Sequence, residues 1–278
     1  MLPDLPTTAT LPASVTPVVP PSRAFGGFTG EAFDVLGALR REPNVTAYRR
    51  EKARIEAHVT GPFRRYRDDL VVSLVLPNRL PFETERNVFS RLLKNDYGAG
   101  GCHSHLWMSV YRHGRKRLTD PQLSHSIDPD GHSVGLYVGD HYGDYFARFK
   151  DRVAAEPSAF AAILRGIVEA PAVRDGEPAE AASNPEAPED DVPAAATSEL
   201  PPFSAYAYTR ARGVETRHDL AAPDADLGVL ARATGVWVRT RWPRESVVAM
   251  GPHLVDTAVR AVARLWPLYV WQCAAADR

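Results

Sequence analysis

The chain has 278 residues, 44% hydrophobic and 24% charged, with 33 Lys and Arg against 34 Asp and Glu, a formal net charge of −1. These values exclude a disordered or fibrous chain and a disulfide-stapled miniprotein, and they bound the fold to one or two ordinary domains. The apolar runs 70–77 and 262–273 are interrupted or too short for a bilayer span, and two cysteines, Cys102 and Cys273, are too few for a thiolate zinc site.

Residues 1–22 contain six Pro and no Lys or Arg. They lack the charged start and apolar centre of a signal peptide, so the reading is a disordered Pro-rich leader on a cytoplasmic protein. Ala32, Phe33, Leu36 and Leu39 then recur at helical spacing, with Glu31 in the first turn and Thr29 as N-cap. A second helix, 45–59, is rich in Arg, Lys and Glu. Gly61-Pro62 punctuates it before a third helix that runs to about residue 76 and stops at Pro77.

Short segments of β-branched and aromatic residues predict strands at 106–111 and 134–138, and helical spacing returns at 144–149 and 157–168. Further strands are expected at 203–209 and 236–241, and a last helix at 254–265. Helices and strands come in blocks rather than in regular alternation, which predicts an α+β fold with an antiparallel sheet flanked by helices. Residues 171–202 carry seven Pro, no aromatic residue, and eight acidic residues against the single base Arg174. Such a segment cannot bury enough apolar surface to offset its ordering entropy, so it reads as a disordered acidic insertion. The stretch 203–278 is marginal as an independent fold, which makes 23–170 and 203–278 one domain.

Several stretches carry a family likeness. They are the helical run from Phe28 to Tyr66 with Tyr48, Lys52, His58 and Pro62, and the run Arg91-Leu92-Leu93-Lys94-Asn95-Asp96-Tyr97. The Gly-containing strand SVGLYVG at 133–139, the text EPSAFAAIL at 156–164, and the ending that closes on Trp266-Pro267-Leu268 extend it. In these the chain resembles the bacterial and fungal domain-of-unknown-function family 2461. That family has no assigned activity, so the resemblance implies a fold and names no reaction.

Six of the nine His lie between 103 and 141. His103 and His105 would point the same way in an extended segment, and with Asp128 they could make a two-His-one-carboxylate metal site, the basis of an alternative reading as a metal-assisted hydrolase. No His-Glu-x-x-His or Cys-x-x-Cys pattern supports that reading, so no metal and no cofactor is assigned. Cys102 or Ser104 could serve as a nucleophile beside these histidines. The Gly98–Gly101 run reads more simply as a turn before a strand, and it has neither the Lys-Ser nor the Lys-Thr of a phosphate loop.

Charge segregation is the stronger signal. Between Arg40 and Arg67 nine bases meet three acids, and between Arg86 and Arg117 seven bases meet only Asp96. Arg86, Arg91, Lys94, Arg112, Arg115 and Arg117 are therefore the candidate anion-binding residues, with Tyr97, Trp107 and Tyr111 as base-stacking candidates. The leading expectation is a binding module with a basic face for nucleic acid or another polyanion. The acidic insertion is a candidate protein-contact element, which gives a scaffold as a further alternative. Phe203, Trp237, Trp242, Trp266, Tyr269 and Trp271 crowd the C-terminal region and have the spacing of packing residues.

Overall fold

A computed structural model describes residues 11–94, 99–169, 200–222 and 224–277. The apolar residues after Thr29 form α1 (Gly30–Arg41) and bury Ala32, Phe33, Val35, Leu36 and Leu39. Thr29 occupies the N-cap position through its backbone, its carbonyl accepting from the Ala32 N–H, and its side chain makes no cap bond. Asn44 caps the next helix through its side chain, which accepts from the Ala47 N–H at 2.9 Å.

From Val45 the chain stays helical to Val75: α2 (Val45–Ile55), a π-turn at Glu56–Thr60, α3 (Gly61–Leu70), and a second π-turn at Val71–Val75. The Gly61-Pro62 pair therefore does not separate two helices as expected. The Gly61 N–H bonds to the Glu56 carbonyl five residues back, and this widened turn admits a proline ring that a regular α-turn would exclude.

The strands are β1 (Phe82–Glu83), β2 (Leu106–Arg112), β3 (Leu123–Asp128), β4 (Gly131–Gly139), β5 (Ser204–Ala211), β6 (Val214–Asp219) and β7 (Ala233–Pro243). They form one antiparallel sheet in the order β1-β2-β3-β4-β7-β5-β6. Between β4 and β5 lie α4 (Asp144–Ala155) and α5 (Pro157–Val168); after β7 come α6 (Arg244–Met250) and α7 (Leu254–Ala276). The fold is α+β, an antiparallel sheet flanked by helices. Strands β3 and β6 escape sequence reading because Ser, His and charged residues replace the β-branched signal.

Strand alternation separates the two faces of the sheet. Met108, Leu123, Ile127, Val134, Leu136, Val236 and Val238 belong to the buried core, with α1, α3, α6 and α7 packed over it. The alternate residues of β7, Trp237, Arg239 and Arg241, are half exposed. Helix α7 runs beyond the expected 254–265 because Trp266, Leu268, Tyr269, Trp271 and Cys273 continue its buried stripe. Among the described residues no helix is long and apolar enough to cross a membrane.

The leader is ordered from residue 11, contrary to the composition-based expectation. Val15 is buried, the Trp266 indole N–H donates to the Pro12 carbonyl at 2.8 Å, and Thr16 and Asn78 exchange two hydrogen bonds. Composition underestimates such a strap because a few anchors suffice to hold it. Residues 1–10 and most of the acidic insertion, 170–199, lie outside the described residues.

Candidate anion-binding face

The predicted basic cluster divides into two parts. Arg112 is neutralised: it pairs with Asp120 at 2.6 Å and with Asp277 at 2.7 Å, and Asp120 is fully buried. Arg115 pairs with the same Asp277 at 2.7 Å. Both are corrections to the sequence reading. The acids that cancel these arginines come from the following loop and from the distant end of α7, outside any local charge count. Tyr111 is corrected too, because it is buried with its hydroxyl donating to the Arg86 carbonyl at 2.9 Å and offers no face for a base. Tyr97 lies outside the described residues.

Arg86, Arg91 and Lys94 are exposed and form no ion pair among the described residues. Arg117 makes no ion pair either; it donates to the Asn87 carbonyl at 2.6 Å and lies 4.7 Å over the Trp107 ring. A cleft of about 390 Å³ is lined by Asn87, Phe89, Ser90, Arg91, Leu93, His103, His105, Trp107 and Arg117, with no carboxylate among them. The segment before β2 shapes one wall through backbone bonds, Ser90 N–H to the Trp107 carbonyl and His103 N–H to the Leu92 carbonyl.

His103 and His105 stand with ring centroids 4.9 Å apart in this wall. Partial burial lowers the pKa of both; His103 lowers His105 further, Asp128 partly opposes that at His105, and the Lys94 charge adds to the lowering of each. The pair is therefore neutral at pH 7 and gains charge in acid or beside a bound anion. Asp128 does not complete a metal site: Arg241 holds both of its oxygens, at 2.9 and 2.5 Å. Among the described residues no three His, Cys, Asp or Glu side chains converge to hold a metal ion. Cys102 is buried with its pKa raised by that burial, which disfavours a thiolate nucleophile.

In the first basic block five of the nine bases pair with acids, whereas Arg41, Arg49, Lys52 and Arg65 are exposed and form no ion pair among the described residues. Arg50 reaches Glu42 and Glu51, Arg54 reaches Glu31 and Glu51, Arg64 reaches Glu56, and Arg40 reaches Asp130. One functional feature escaped the sequence reading. Sequence spacing groups Trp237 with the packing aromatics; the structure puts Trp242, Trp266 and Tyr269 in the core but leaves Trp237 half exposed on the opposite face of the sheet, in line with the alternation of buried and half-exposed residues along β7.

No protein-family model matches the chain, and no curated protein matches it. The likeness to domain-of-unknown-function family 2461 rests on the sequence motifs alone.

Proposed function

We propose that this protein binds nucleic acid or another polyanion through the cleft between β2 and the segment 86–94, with Arg91, Arg117 and Lys94 as phosphate partners. The observation that carries the reading is the lining itself: two guanidinium groups, two imidazoles and the Trp107 ring share one open depression, with no carboxylate among its described lining residues. Guanidinium groups recognise phosphate through paired N–H donors, and Trp107, held under Arg117, supplies a surface for a base. The aromatic component favours nucleic acid over a purely charged polymer. A cytoplasmic setting belongs to the same proposal, supported by the two cysteines, Cys102 and Cys273, which are both free thiols.

The test is fluorescence anisotropy with labelled oligonucleotides across a salt series. Arg91→Ala combined with Lys94→Ala should weaken binding and flatten its salt dependence by about one unit or more, since each neutralised phosphate releases condensed counterion. These side chains are exposed and form no ion pair among the described residues, so thermal stability should not change. Unchanged affinity in the double variant would refute the assignment.

A further inference from the structure

The register of the sheet places a second aromatic and cationic group on the same face as the cleft. Trp107 on β2 pairs with Ser126, Ser126 with Ser133, and Ser133 with Arg241, so Trp107 and Arg241 point to one side. Two residues along β7 from Arg241 is Arg239, opposite Gly135, and two further is Trp237, opposite Tyr137 on β4 and Tyr206 on β5. Three aromatic residues thus form a row across adjacent strands, with ring centroids of Tyr137 and Trp237 4.7 Å apart.

Arginines complete the row. Arg239 lies 5.2 Å from the Trp237 ring and 5.5 Å from the Tyr206 ring, and Arg217 lies 3.9 Å over Tyr206. Neither forms an ion pair among the described residues. Tyr206 is buried beneath them and acts as a floor, whereas Tyr137, Trp237 and Arg239 are half exposed. His141 stacks on Tyr137 at 5.3 Å and prolongs the aromatic surface. Between this row and the cleft the face is built of small residues, of which Ser124, Ser133 and Gly135 are buried under their neighbours and Ser126 is half-buried. At Gly135 a Cβ would come within 2.5 Å of the Arg239 Cβ, so glycine is what lets the arginine stem cross the sheet there. Carboxylates border the row: Asp140 and Glu215 lie close enough to Tyr137 to add to the rise in its pKa that burial causes, Glu215 pairs with Arg210, and Asp128 on the same face is held by Arg241.

We propose that Tyr137, Trp237 and Arg239 form a second binding station for unpaired nucleobases and their phosphates, and that a single strand of nucleic acid runs along this side of the sheet from the row to the Arg91–Arg117 cleft, over the side chains that cover the small residues between them. The inference rests on the cleft reading and adds to it the strandedness of the ligand and its path. At about 4.8 Å per strand and 3.3 Å per residue the two stations are about 20 Å apart, a span that suits a short single strand. Stacking on exposed aromatic rings requires bases that are free of a duplex, and rings flanked by arginines are the usual equipment for it.

The experiment compares labelled oligo(U) of about 2 and about 12 nucleotides, the first below and the second within the site sizes of single-strand binders, on the full chain and on two variants. Trp237→Ala with Arg239→Ala should cut affinity for the longer strand by about tenfold or more and leave the shorter one unchanged. Arg91→Ala with Lys94→Ala should weaken both. Arg239→Gln alone, at a half-exposed position, provides the same comparison should the double variant fold poorly. If only the cleft variant loses affinity, the second station is refuted and the cleft reading stands. If neither strand binds the wild-type protein at low salt, the cleft reading itself falls. Equal binding of inorganic polyphosphate with the same dependence on Trp237 would overturn the assignment to nucleobases.

Discussion

His132 shows how a single residue can be costly at the centre of a well-packed core. It is fully buried among Phe28, Phe63, Tyr66 and Trp242, and neither ring nitrogen has a hydrogen-bond partner among the described residues. Its neighbour His125 shares a buried 2.8 Å hydrogen bond between Nδ1 and the Tyr66 hydroxyl. Burial pushes the pKa of His125 down to about 3 and that of His132 well below 6.5. An unfolded chain takes up protons at both residues below pH 6.5 while the folded one does not. Their contribution to stability is therefore intact above pH 6.5 and is lost as pH falls below it, by up to about 1.4 kcal/mol per pH unit for each histidine. Replacing His132 with Phe removes two unsatisfied nitrogens at similar volume. Thermal melts should show His132→Phe more stable by about 1–3 kcal/mol at pH 7.5, with the advantage widening at pH 5. Arg112 gives the opposite case, a charge that sequence counting assigned to a ligand and that serves the fold. Arg112→Ala strands the fully buried Asp120 and should cost about 3–5 kcal/mol in chemical denaturation. Oligonucleotide affinity, measured where the variant is folded, should not change.

At the scale of elements, sequence patterns served well wherever one face of a helix or strand meets the core. The helix expected at 157–168 is α5 to the residue, and the strands expected at 106–111 and 134–138 fall within β2 and β4. What escaped was set by partners distant in sequence. β3 reads LSHSID because its inward face carries the buried His125 and its outward face the small serines. The Gly61-Pro62 pair looked like a helix end because a local rule cannot anticipate a π-turn. That turn makes its own prediction: a Cβ at Gly61 would sit 2.7 Å from the Glu56 carbonyl oxygen. Gly61→Ala, which favours an ordinary helix interior by about 1 kcal/mol, should instead lower the melting midpoint here. A rise in the midpoint would show that the wide turn is not required.

The whole molecule distributes its charge in a way that the net value of −1 conceals. Eight acidic residues against one base lie between 171 and 200, so the rest of the chain is basic. On α2 and α3 Arg50, Arg54, Arg64 and Arg67 are spent on local pairs, while Arg91, Lys94, Arg117, Arg217 and Arg239, like the helical Arg49, Lys52 and Arg65, have no ion pair among the described residues. The site was thus half legible: Arg91, Lys94, Arg117 and Trp107 could be chosen from their density in sequence, but Trp237 and Arg239 required the strand register. A tethered acidic segment competes for a basic surface at high effective concentration. Replacing residues 171–199 with an uncharged linker should therefore tighten oligonucleotide binding at low salt, as read by anisotropy, and the gain should vanish at high salt.

The slope of log affinity against log salt for a single-stranded oligonucleotide is the most direct test of a cleft that binds phosphate through Arg91, Lys94 and Arg117. With Arg91, Lys94 and Arg117 each engaging one phosphate, wild type should give a slope of about −2, and Arg91→Ala with Lys94→Ala a slope of about −0.7. A wild-type slope near zero, or the same slope in both proteins, would contradict the account.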